Sequence, residues 1–131
     1  MSRSLTRLAR LASLLAAAAL AASCRKPTPV QLTMAEIDRS WTMLQKLYDK
    51  PGPNAAAEHA AQIGKLLASS DITNSKAYST NESFRELAAD TIDELGALQT
   101  ALASGSPAQA TGSMTRIKEL CQRCHDQKWP K

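Results

Sequence analysis

Residues 84–107 read FRELAADTIDELGALQTALASGSP, and this stretch decides the fold. Phe84, Leu87, Thr91, Leu95, Leu98 and Leu102 recur at steps of three and four, which lines them along one side of an α-helix and scatters them over both faces of a strand. Gly105 follows the last periodic residue, and Ser106-Pro107 comes next. Glycine takes the left-handed conformation that ends a helix, while Ser-Pro suits the cap and first position of another. The stretch therefore predicts a long helix, a tight stop and a further helix running from Ala108 to about Gln127.

The same period extends toward the N-terminus. Met34, Ile37, Trp41, Leu44 and Tyr48 line one face of a first helix that stops before Pro51-Gly52-Pro53. Asn54 then caps a second, alanine-rich helix over residues 55–70, with Ala56, Ala60, Ile63 and Leu67 on one side. A polar stretch from Ser70 to Thr80 interrupts the pattern. No stretch alternates with a period of two, and short connections favour antiparallel neighbours, so the expected class is all-α: an antiparallel four-helix bundle over residues 34–131. Its core is modest. One Phe and two Trp fill little volume, which leaves room for a large apolar cofactor.

Ahead of this domain the chain reads as an export signal over residues 1–23. Arg3, Arg7 and Arg10 supply positive charge, Leu11 to Leu20 form an apolar run, and Ala21, Ala22 and Ser23 are small, so cleavage is expected before Cys24. Arg25 and Lys26 keep that run too short for a permanent span. Leu20-Ala21-Ala22-Ser23-Cys24 resembles a bacterial lipoprotein signal, which implies acylation of Cys24 and a protein tethered to a membrane on the periplasmic side; ordinary cleavage with a free thiol is the alternative. Residues 24–33, with Pro27 and Pro29, read as an extended tether. Removing the three leader arginines leaves thirteen basic residues against twelve acidic ones. The mature chain is thus nearly neutral, which gives no support to nucleic-acid binding.

Cys121-Gln122-Arg123-Cys124-His125 carries the chemistry. This is the spacing that attaches haem c through two thioethers, with the histidine as an axial iron ligand. On a helix both thiols share one face, Gln122 and Arg123 turn outward, and Met114, Ile117, Cys121 and Cys124 continue a single inward stripe. The cysteine count agrees: one lipid site and two thioethers use all three. A thioredoxin-like pair belongs beside a strand, a zinc site needs a fourth ligand where the only other histidine is His59, and a disulfide between helical cysteines three apart is strained.

With these residues in view, residues 34–131 resemble the class II cytochromes c, whose four-helix bundles carry Cys-x-x-Cys-His near the end of the last helix, as Cys121 to His125 do here. The six-coordinate branch places a methionine on the first helix, then a basic residue and apolar positions, a run that Met34, Arg39, Trp41 and Leu44 match. The resemblance implies Met34 as sixth iron ligand; Met43 is the alternative and lies off the stripe toward Leu47. Trp41 is large for a position facing a porphyrin, and the link between the first two helices is short for the family. The resemblance also allows a homodimer. His59 is expected to face solvent, Arg39 to face water or a haem propionate, and Lys128, Trp129 and Lys131 to cover the haem edge or fray.

The function expected is one-electron transfer by a His/Met-ligated monohaem protein that is not an enzyme and meets other redox proteins at the membrane surface. Without a distal ligand the iron would instead bind nitric oxide or carbon monoxide. Peroxide chemistry lacks a distal acid or base.

Overall fold

The computed structural model describes residues 26–50 and 53–127, and among them the chain is all-α with no strand. Helix α1 spans Pro29–Leu47, α2 Pro53–Leu67, α3 Ser70–Thr73, α4 Lys76–Thr80, α5 Glu82–Ser104 and α6 Pro107–His125. The leader and Cys24 lie outside the described residues, as do Lys128, Trp129 and Lys131.

Two boundaries differ from expectation, both for the same reason. Helix α1 begins within the stretch read as a tether, because Pro29 sits in its first turn, where proline's fixed φ suits a helix and its missing N–H costs nothing. Thr28 caps it: the Gln31 amide donates to Thr28 Oγ1 at 3.3 Å while the Thr28 amide donates to Gln31 Oε1 at 2.8 Å. Likewise Pro53 opens α2, one residue before the expected cap at Asn54. The polar stretch after α2 is helical too, in two short pieces. Ile72 is fully buried, Ser75 accepts from the Tyr78 amide at 3.2 Å, and Asn81 accepts from the Phe84 amide at 3.2 Å. Arg85 reaches back to the carbonyls of Tyr78 and Ser79, and Tyr78 meets Phe84 edge to face at 6.0 Å, so α4 is fastened to the start of α5.

The hairpin of α5 and α6 forms as expected. Gly105 has φ +67° and its amide bonds back into the last turn of α5, a conformation in which a side chain is strained. Ser106 occupies the cap position of α6 with Pro107 next, although its hydroxyl makes no capping bond. Phe84, Leu87, Thr91, Leu95, Leu98 and Leu102 are all buried, which confirms the stripe that decided the fold. Leu95, Leu98 and Leu102 meet Ala110, Met114 and Ile117 of α6 and Ala56, Ala60, Ile63 and Leu67 of α2 in one core, with Leu44 of α1.

The long helices pack in series: α1 on α2, α2 on α5, α5 on α6. Gln62 of α2 donates to Glu36 of α1, and Arg116 of α6 pairs with Glu94 of α5 at 2.8 Å, pairings that run in opposite chain directions within each hairpin. Since α3 and α4 turn the chain over between α2 and α5, the start of α1, the end of α2 and the start of α5 share one end of the molecule. The hairpin at Gly105 returns the end of α6 to that same end. Helices α1 and α6 are not an extensively packed pair. A cleft of about 220 Å³ separates them, lined by Trp41, Gln45 and Tyr48 on one side and Thr111, Met114, Thr115 and Lys118 on the other.

Candidate functional site

Helix α1 buries Leu44 of its apolar stripe together with two hydroxyl residues. Its buried residues are Thr33, Ser40 and Leu44, which at about 100° per residue fall on one meridian. Met34, Ile37, Trp41 and Tyr48 lie on average some 70° round from that line by the same count, and all four are only half-buried. A helix settles with its apolar side inward unless something else is to cover that side. Here two hydroxyl residues are covered while Met34 and, beside the cleft, Trp41 are half-buried, although Ile37, Trp41 and Tyr48 still pack against the core.

On α6 the cleft is lined by Thr111, Met114, Thr115 and Lys118, and the cysteine pair follows in the last turns of that helix. Met114 and Ile117 are buried, and Leu120, Cys121 and Cys124 are half-buried, while Gln122 and Arg123 face outward as their positions require. His125 stands about 40° from Cys121 on the same wheel, four residues on, yet it is exposed. The final turn is braced locally. Gln122 donates to the Asp126 carboxylate at 2.9 Å, and the Asp126 amide donates to the Gln122 carbonyl at 2.9 Å.

Both cysteines of this turn are free thiols. Burial raises the pKa of Cys121, and burial together with the neighbouring Cys121 pushes Cys124 up to about 11. A dithiol redox pair requires the reverse, a depressed thiol that is partly ionised near neutrality. No group of three or more His, Cys, Asp or Glu side chains among the described residues is arranged to hold a metal ion. Two thiols and an imidazole that do not converge on one point suit a larger group, whose periphery takes the sulfurs and whose centre takes the nitrogen. Two thiols at the edge of the core and an imidazole on the same side of the helix are the residues that would hold a haem, while the cleft to α1 opens nearer the start of α6, at Thr111–Lys118.

Of the remaining expected residues, Met34 is half-buried in the first turns of α1, at the end of the molecule where α6 finishes. Met43 is 42% exposed and lies away from the buried meridian. Arg39 is exposed. His59 is half-buried rather than solvent-facing, because small alanines on either side let α2 sit close to its neighbours. Gln45, Thr111, Thr115 and Lys118 were not marked by the sequence reading; their three- and four-residue spacing beside Tyr48 and Met114 is the signal that would have found them.

Away from the cleft, Arg116 hydrogen-bonds Glu94 and, with a further hydrogen bond from Ser113 opposing the cost of burial, holds that carboxyl below the usual carboxylate range. This pair joins the hairpin from outside. Comparison with known protein families, with curated proteins and with solved structures finds no match.

Proposed function

We propose that this chain is an exported c-type monohaem cytochrome and a one-electron carrier, with its four long helices closing round the haem as an antiparallel four-helix bundle. The observation that carries the reading is the half-buried pair Cys121 and Cys124, continuing the inward stripe of α6 with His125 on the same side of the helix. When bound, haem supplies an iron that cycles between ferric and ferrous states.

Each residue has a task in this reading. Cys121 and Cys124 would hold the haem covalently through thioethers, each S–H adding across one vinyl group so that nothing is oxidised and nothing leaves. His125 would hold the iron through its imidazole nitrogen, and Met34 would offer its thioether from α1. Thioether sulfur is a soft donor that favours the ferrous state. Ile37, Trp41 and Tyr48 exclude water from the cleft and keep its polarity low. The sum of these roles is the layout of the class II cytochromes c, which the chain resembles in the placement of its motif and of Met34. Acylation of Cys24 would hold the carrier at a membrane, where redox partner proteins are met.

The test is a denaturing gel stained for haem, run on protein exported from cells competent in cytochrome maturation. Wild type is expected to keep its stain through denaturation, and the Cys121→Ala, Cys124→Ala double variant to lose it. A colourless wild-type band overturns the proposal. Visible spectra then assign the iron: low-spin, six-coordinate absorption supports the electron carrier, and high-spin, five-coordinate absorption that shifts with carbon monoxide supports a gas-binding protein instead.

A further inference from the structure

The side that helix α1 turns to the molecule is fixed by its packing. Leu44 is fully buried in the core, Thr33 donates its hydroxyl proton to Asp71 Oδ2 at 3.1 Å, and Glu36 accepts from Gln62 Nε2 of α2 at 3.3 Å. What the helix shows to the outside is therefore equally fixed. Leu32 is 56% exposed and Met43 42%, and these are the two exposed large apolar side chains among the described residues. By the helical count they fall within about 20° of each other. Arg39 and Lys46, both exposed, stand on the same strip, so the four residues occupy an arc of about 60° along roughly 21 Å of helix.

Along this strip apolar side chains alternate with cations. Lys26 precedes the helix and Lys50 follows it, both exposed. Glu36 borders the strip, but its carboxylate is engaged by Gln62 on the α2 side, and Asp38 lies some 110° from the strip's centre. Leucine and methionine interleaved with arginine and lysine on one exposed helix face suit the boundary of a bilayer, where apolar tips enter the acyl region and cations meet anionic headgroups. The chain leads to the same place. Only residues 25–27 separate Cys24 from Thr28, whose capping box starts the rigid helix, a span of at most about 14 Å when fully extended. An acyl group on Cys24 would thus hold the start of α1, and Leu32 with it, at the membrane surface. A single acyl chain binds weakly, and a basic patch beside it is the kind of second signal that makes anchoring stable.

We propose that the strip of Leu32, Arg39, Met43 and Lys46 is a membrane-contact surface, which lays the acylated domain on its flank against a bilayer containing anionic phospholipid. The inference rests on the Cys24 tether of the reading above and is independent of the haem. The strip lies roughly 180° round α1 from Ile37, Trp41 and Tyr48. Docking by this face therefore turns the cleft and α6 away from the lipid.

The experiment uses the full mature protein on vesicles of phosphatidylcholine mixed with phosphatidylglycerol, and mass spectrometry reads how fast an amine-acetylating reagent modifies each lysine. The reference is the Cys24→Ser protein free in buffer. On the vesicles Lys46 is expected to slow severalfold, while Lys118 on α6 and Lys76 on α4, both exposed, keep their rates. The Cys24→Ser protein also isolates the strip: it is expected to float with the mixed vesicles at low salt and not with phosphatidylcholine alone. Adding Arg39→Gln with Lys46→Gln should weaken that flotation by about tenfold or more, and Leu32→Ser with Met43→Ser should weaken it too, at unchanged helix content. If Lys46 on the acylated, vesicle-bound protein reacts as fast as Lys118, the strip is not the contact surface; the inference is overturned and the tether stands. If Cys24 of the exported protein carries no acyl group, the tether falls and this inference falls with it. Protection of Lys46 in native membranes but not on protein-free vesicles assigns the strip to an acidic protein partner and overturns the lipid assignment.

Discussion

The two thiols of α6 are poor nucleophiles in the folded chain, and this bears on when attachment takes place. With Cys124 raised to about 11, only a trace of thiolate exists near neutrality. If the proposed haem is attached, its vinyl groups would react more readily with a chain whose last helix has not yet docked. Alkylation of the folded, haem-free protein by iodoacetamide is expected to be slow at pH 7 and to accelerate steeply toward pH 11, and rapid alkylation at neutrality would show the thiols to be unburied. The same shift has a stability consequence. Because the folded pKa lies above the ordinary 9.0, the unfolded chain sheds its thiol proton first, so haem-free protein loses stability between about pH 9 and pH 11. Replacing both cysteines by alanine should flatten that decline in a urea titration series. At the acid end Glu94 acts in the opposite sense: its lowered carboxyl pKa contributes stability above the ordinary 4.5 that is lost as pH falls below it. At this scale the spacing of Cys121, Cys124 and His125 is legible in the sequence, and the structure adds that the two thiols are half-buried and the imidazole exposed. The Thr33–Asp71 bond was invisible, because it joins an unremarkable hydroxyl to a carboxylate in a stretch read only as polar.

Individual helices followed their periodicity where both the stripe and the caps were present. Helix α5 is the clear case, and its packing makes a definite expectation: Leu98, fully buried, is a point where α5 meets the shared core, so Leu98→Ala should cost about 2–5 kcal/mol in denaturant unfolding. Gly105→Ala acts by another route, forcing a side chain into φ +67°, and should cost about 1 kcal/mol with no loss of packing. Helix α1 shows where periodicity runs out. The stripe of Met34, Ile37, Trp41, Leu44 and Tyr48 was read as the buried face; Leu44 is fully buried, but the other four are only half-buried and Thr33 and Ser40 share the burial. Periodicity locates an apolar face and is silent on what covers it. The prolines misled for a related reason: residue type marks a break in helical pattern, and only the cap geometry at Thr28 tells that Pro29 begins a helix.

At the scale of the molecule, three long interfaces and one open cleft describe the packing: α1, α2, α5 and α6 in series, with the first and last helices left apart. The all-α class was legible because no segment competes for strand, whereas the cleft was not, since it depends on how helix faces combine. A bound haem would join the two walls, so holoprotein is expected to melt well above haem-free protein, and Trp41, which lines the cleft, should lose most of its fluorescence on haem attachment. No described helix is long and apolar enough to cross a membrane. The central claim is nevertheless covalent rather than architectural, and the intact mass of the denatured, mature protein tests it most directly. Addition of two thiols to two vinyl groups predicts the mass of the polypeptide plus one whole haem with no hydrogen lost; the mass of the bare chain, or of a chain lighter by two hydrogens through a Cys121–Cys124 disulfide, would contradict the account.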